Sequence, residues 1–335
     1  MNTMTWLLRR EYWENKGAFF WVPLIVALVM LTFVGATAGY ALAPHDLDDS
    51  VIVNGHHMSR MQMLNAMPPE VRAKLAGVVA NVWLAACAPL FGVLPVVAFF
   101  YCLAALYDDR RDRSILFWKS LPVSDRQTVL SKVITAVCVA PLITIAIGTG
   151  VSLLMVFIGL SAASFNGLHL FALVFGNPDF YLAPLWLLGL LPVYVLYAMP
   201  TVGWLLMVSA WARSKVFLWA VGVPLLAALL TKWANVILGE TMNGGFDVTW
   251  FVNQVIMRGL AGLVPGAWLQ FGDVLPIAPA ALVALTNDVG PTVDAGGIFT
   301  QSWLTLLQPG VWIGAAIGVA MMFVAVRLRR WRDEG

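Results

Sequence analysis

Residues 107–132 read YDDRRDRSILFWKSLPVSDRQTVLSK, and ten of these 26 positions are charged in a chain that is only 11% charged. An uncharged apolar run lies on each side, Leu75–Leu106 before it and Val133–Leu160 after it. A charged island between two such runs is a connection at a membrane surface. Its middle, Ile115-Leu116-Phe117-Trp118, is apolar. A solvated connection has no need of that patch, whereas an apolar anchor in a polar rim is how interfaces concentrate binding energy. Ile115, Leu116, Phe117 and Trp118 are therefore candidate anchors of a docking surface. Arg110, Arg111, Arg113, Lys119 and Asp125 are its candidate rim. Each charge has a plainer alternative role, as a topology determinant that touches no partner. Ser124 with Gln127, or Asp125, reads as the N-cap of the helix that follows.

The rest of the chain repeats the pattern of long apolar runs. Of its 335 residues, 60% are hydrophobic, and the mean hydropathy is +0.82. Soluble domains carry about 25% charged residues. Backbone polar groups in lipid must pair within their own segment, so these runs are expected to be helices. The expected fold class is an all-α polytopic membrane protein with six transmembrane helices. They run from Ala18 to about Tyr40, Leu75 to Leu106, Val133 to Leu160, Leu182 to Trp211, Val216 to about Leu230, and Leu307 to Val326. The second run, at 1.5 Å per residue, exceeds a hydrocarbon core of about 30 Å and must tilt, kink or project, with Pro89 and Pro95 as kink sites.

Three connections stand out. Residues 41–74 form a polar loop, with a short helix expected over 60–74. Residues 161–181 carry Asn166, Gly167, Gly176, Asn177 and Pro178 and read as a loop. Residues 239–305 form the longest connection, in which 250–264 and 275–286 read as short helices, surface-bound or re-entrant. Residues 4–16 read as an interfacial helix, with Trp6 and Trp13 on one side and Arg9 and Arg10 flanking it. The charges before the first full-length run set it apart from a cleaved leader.

Charge fixes the expected orientation. With both termini and the 107–132 loop in the cytoplasm, 15 of the 20 Lys and Arg residues lie inside. Net charge is only +2, so nothing points to nucleic acid. The domain layout is then an N-terminal helix over 1–17, a six-span domain over 18–327, and a basic tail over 328–335.

The chemistry of sites is sparse. The span cores lack Asp, Glu, Lys, Arg and His, which argues against a proton-coupled carrier or a voltage sensor. The sequence contains no HExxH, GxSxG or GxxxxGK[ST], so no catalytic, metal or cofactor-binding residue is assigned. His56 and His57 are adjacent, which suits a solvated loop better than a metal site. Cys87, Cys102 and Cys138 lie in apolar runs and read as packing residues. Trp21, Trp186, Trp211, Trp219, Trp233, Trp303 and Trp331 sit near span ends and read as interfacial anchors.

A large apolar body with no phosphate-binding loop calls for an external energy source. At this point the chain resembles the ABC-2 type permeases, the membrane subunits of ABC exporters whose ATPase is a separate chain. The resemblance rests on LLRREYWENKGAFF near the N-terminus, on the six-span layout, and above all on 107–132. There an acidic-basic cluster (Asp108 to Arg113) precedes a short helix (Ser114 to Ser120), a Leu121-Pro122-Val123-Ser124 turn, and Lys132 opening the third span. It implies the type V exporter-like fold, with both termini cytoplasmic in a bacterial-type inner membrane.

The resemblance also implies partners and roles. The loop would hold a coupling helix seated on the ATPase, drawing on Arg110, Arg113, Ile115, Leu116, Phe117, Trp118, Lys119, Leu121 and Pro122. Trp6, Arg9, Arg10 and Trp13 would belong to a connecting helix. ATP and Mg would be held by the partner subunit. A second permease copy would complete the unit, with the substrate path between the copies near spans two and five. The 239–305 segment would form an outer helix pair. The uncharged path suits a hydrophobic or amphipathic cargo: lipid, drug-like compound or peptide. Two readings compete. One is a self-standing carrier or channel. The other is a membrane scaffold or enzyme with an outer site among Glu240, Asp247, Asp273, Asp288 and Asp294.

Overall fold

The computed structural model describes residues 3–43, 50–53, 56–59, 67–112, 123–238, 248–270, 283–286, 290–293 and 295–331. Among the described residues six helices are long and apolar enough to cross a bilayer. They are span 1 (Gly17–Leu42), span 2 (Pro69–Arg111), span 3 (Asp125–Phe165), span 4 (Pro178–Trp211), span 5 (Leu218–Ile237) and span 6 (Pro309–Trp331). The chain is a multi-pass, all-α membrane protein in its spanning part. An N-terminal helix, α1 (Thr3–Glu14), precedes span 1. Two small antiparallel hairpins lie between spans, β1 (Ser50–Val53) with β2 (His56–Ser59) and β3 (Val283–Thr286) with β4 (Gly290–Val293).

Spans 2, 3 and 4 hold 43, 41 and 34 residues, or about 64, 61 and 51 Å at 1.5 Å per residue, well beyond a core of about 30 Å. They therefore project. Their basic ends, near Arg111, Asp125 and Arg213, gather at one end of the bundle. At the opposite end the projections enclose an apolar cluster that includes Ala76, Ala80, Trp83, Leu168, Val174 and Phe180. Trp83 and Phe180 stack at 4.7 Å, and the Trp83 Nε1–H donates to the Phe180 carbonyl at 3.2 Å.

That cluster corrects one sequence expectation. The 161–181 segment is mostly helical. Span 3 runs on to Phe165, a short helix covers Phe171–Phe175, and span 4 already begins at Pro178. Asn166 and Gly167 (φ 87°) do make a turn. Asn177, however, caps a new helix by accepting from the Asp179 N–H at 3.0 Å, and burial of Leu168, Leu170 and Val174 holds the connection down. Span 2 is interrupted at Trp83–Cys87 by a tight 3₁₀ stretch immediately before the expected kink site Pro89, which opens the next α-helical part, while Pro95 is carried inside it. The expected helix over 275–286 is overturned at its described end, since Val283–Thr286 is a strand. Residues 248–261 are helical, as expected for 250–264 over most of that range.

Prolines leave a repeated mark. Wide π-type turns cover Gly17–Trp21, Thr135–Val139 and Leu218–Gly222, and each ends two residues before a proline: Pro23, Pro141 and Pro224. A helical proline has no N–H, and its ring collides with the carbonyl four residues earlier. Widening the preceding turn relieves that collision. For Pro224 the carbonyl four residues earlier is that of Ala220, which accepts the Trp204 Nε1–H of span 4 at 2.9 Å. A neighbouring span thus satisfies the group that proline orphans, as lipid cannot.

Spans 4 and 6 pack backbone to backbone. A Cβ on Gly203 would collide with the Gly318 carbonyl, and one on Gly318 with the Met199 carbonyl. Gly310, Gly314 and Gly318 recur every fourth residue and put a flat seam on span 6. Around it lies the larger apolar core, with Leu94, Val133, Val202, Leu205 and Ala325 from spans 2, 3, 4 and 6.

Candidate functional site

The basic end of the bundle carries a knot of buried ionic side chains at the root of the 107–132 connection. Asp125 opens span 3, and Ser124 caps it. The Ser124 hydroxyl accepts from the Gln127 N–H at 3.3 Å, and Gln127 Oε1 accepts from the Ser124 N–H at 3.2 Å. Two turns on, Lys132 lies buried at 3% exposure. Its Nζ is 3.1 Å from Glu11 Oε1 and 3.6 Å from Asp109 Oδ2. The Tyr101 hydroxyl donates to Glu11 Oε2 at 2.8 Å. From span 6, Arg329 places Nη1 2.9 Å from Asp109 Oδ2 and Nε 3.2 Å from Asp125 Oδ1.

Arg329 therefore grips both roots of the connection, Asp109 where span 2 ends and Asp125 where span 3 begins. Lys132 ties the same Asp109 to α1 through Glu11. One knot joins α1, span 2, span 3 and span 6. Two cations and three carboxylates held this close, four of them almost wholly out of water, interact far more strongly than surface pairs. A partner taken away would leave a buried charge uncompensated.

Span 4 is attached by a different route. Arg110 Nη2 donates to the carbonyls of Ser209 at 2.6 Å and Ala212 at 2.9 Å, where the helix leaves its last carbonyls without intrahelical partners. Ser209 Oγ accepts from the N–H groups of Leu106 and Tyr107. The turn after span 4 is short enough that Lys215 adopts a left-handed φ of 50°, which is uncommon for a residue with a Cβ.

The structure thus places the sequence candidates unevenly. Arg110, expected on a contact rim, reaches inward to the end of span 4. Arg111 is exposed and pairs with Asp108 and Asp112. Arg113, Ile115, Leu116, Phe117, Trp118, Lys119, Leu121 and Pro122 lie outside the described residues. In α1, Trp6 and Trp13 are exposed, Arg9 is exposed, and Arg10 pairs with Glu14 at 2.7 Å. Glu11 is fully buried beside Leu7, one turn earlier on the opposite side from the tryptophans. Sequence reasoning missed Glu11, Asp109 and Arg329. The signal for Glu11 was its i+4 spacing from Leu7 off the Trp face. Nothing in the sequence separates Arg329 from Arg327 and Arg330.

Of the seven tryptophans expected as interfacial anchors, Trp21, Trp211, Trp219, Trp233, Trp303 and Trp331 are exposed. Trp186 packs edge-on against Phe299 at 5.1 Å. Among the described residues no three His, Cys, Asp or Glu side chains gather as a metal site. A concavity of about 460 Å³ opens between spans 4, 5 and 6 and the 248–261 segment. No protein-family model, curated protein or solved structure matches this chain.

Proposed function

We propose that this chain is the permease subunit of an ATP-driven ABC-2 type exporter, powered by a separate ATPase that docks on the 107–132 connection. The observation that carries this reading is the knot beneath that connection. A loop that only joins two spans needs no buried clamp across its roots. A loop that receives force does, because its motion must reach the membrane helices as one movement. Asp109, Asp125 and Arg329 link the roots to span 6, Glu11 and Lys132 link them to α1, and Arg110 links them to span 4.

The remaining parts follow from that role. With 12 of the 16 described Lys and Arg residues at the knot end, this end faces the cytoplasm and both termini lie inside. The Ile115–Trp118 patch is the contact for the ATPase, with Arg113 and Lys119 at its rim. Helix α1, with Trp6, Arg9 and Trp13 outward, lies in the interface as the connecting helix. ATP and Mg stay on the partner, and a second permease copy completes a path for a hydrophobic or amphipathic cargo.

Two measurements test it. The tagged chain, purified from its own membranes, should bring down an ABC ATPase. Trp118→Ala and Arg113→Glu should cut transport and ATPase stimulation about tenfold while leaving insertion unchanged. Transport by the purified chain alone, without ATP, would replace this reading with a self-standing carrier.

A further inference from the structure

Among the described residues Arg258 is the one cation that lines the concavity between spans 4, 5 and 6. The segment bearing it is pinned against span 4. Thr201 Oγ donates to the Gly259 carbonyl at 2.6 Å, and the Tyr194 hydroxyl donates to the Leu263 carbonyl at 3.4 Å. Trp268, further along the segment, meets the Tyr197 ring at 6.1 Å. Arg258 lies over the face of Tyr197, 4.9 Å from its centroid. Among the described residues no carboxylate forms an ion pair with it.

Depth can be read from the helices. Tyr197 is 14 residues before Trp211, about 21 Å from the basic end of span 4. Gly310, beside the Arg258 guanidinium, opens span 6. The guanidinium thus lies toward the opposite end of the bundle from the basic knot, beside the start of span 6. From Gly310 to Met321, both on the lining, the concavity runs about 16 Å along span 6. Apart from Gln254, its other walls are apolar, including Trp204, Val223 and Ile317. Ile313 and Ile317 are exposed on the bundle surface, so the space is open sideways to lipid.

A guanidinium against an apolar space is favoured by a compensating anion. Its planar fork pairs with carboxylate or phosphate oxygens. We propose that this concavity binds an anionic amphiphile from the membrane, its carboxylate or phosphate head on Arg258 and its acyl chain along span 6. A volume of about 460 Å³ lies within the range of small-molecule sites. Binding here needs neither ATP nor a partner, so its failure would leave the transport reading standing.

The test is native mass spectrometry of the full-length chain, delipidated in detergent and titrated with palmitate, phosphatidylglycerol or phosphatidylcholine. Wild-type protein should retain at least one anionic species tenfold more tightly than phosphatidylcholine. Palmitate retention identifies a free fatty acid as the source, and phosphatidylglycerol retention a phospholipid. Arg258→Gln should abolish the preference, and Arg258→Lys should restore part of it. Ala227→Phe, which fills the space from span 5, should expel the bound species with Arg258 intact. Equal retention of anionic and zwitterionic species by the wild type would overturn the proposal. So would unchanged anionic retention in both Arg258→Gln and Ala227→Phe.

Discussion

Arg329 Nη1 lies 2.9 Å from Asp109 Oδ2, joining the last turn of span 6 to the last turn of span 2 across 220 sequence positions. The same guanidinium reaches Asp125 through Nε. Arg329→Gln should destabilise the protein by about 3–5 kcal/mol, the usual result of orphaning a buried charge. Arg329→Lys should recover little, because one ammonium cannot bridge two carboxylates as a planar fork does. Thermal unfolding in detergent reads both, and wild-type stability in the lysine variant would show that the bridging geometry is unimportant.

Glu11 and Lys132 meet at 3.1 Å. Glu11→Gln and Lys132→Met should each destabilise by about 3–5 kcal/mol. The double variant should lose clearly less than the sum, since removing both leaves neither charge unpaired. Additive losses would show that the two side chains act separately.

Trp204 supplies the donor that Pro224 denies to the Ala220 carbonyl. Trp204→Phe should therefore cost about 1–3 kcal/mol. In a Pro224→Ala background the helix can supply its own N–H, and the same substitution should cost measurably less. An equal cost in both backgrounds would assign the effect of Trp204 to packing alone.

Gly203→Ala and Gly318→Ala each place a Cβ against a backbone carbonyl, which cannot swing aside. Each should lower stability by about 1–3 kcal/mol through overpacking. Gly150→Ala, where no atom lies within 4 Å of the added Cβ, is the control and should be near neutral. Helix propensity favours Ala over Gly at all three sites, so equal losses at all three would show that the seam is not the cause.

Much of this molecule could be read from its residues. Six apolar runs, bounded by charges, determined six spans, because a helix in lipid must be long and uncharged whatever it packs against. The Ser124 cap was equally legible, since capping is a local exchange over four residues. The sequence also marked 107–132 as the place where the chain meets water. Tertiary structure alone decided which charges stay there. Asp109, Arg329 and Glu11 look like their solvated neighbours, and only the convergence of three distant helix ends withdraws them from water. The excess length of the second run was legible, but how far spans 2 to 4 project was hidden for a related reason. Their projecting turns hold polar and turn-forming residues, and burial of Trp83 against Phe180, not local propensity, keeps them ordered. Likewise Arg258 read as one outer-loop cation among several. Its place over Tyr197 and at the mouth of an apolar space follows from segment 248–261 folding back against span 4, a long-range contact that no local pattern encodes.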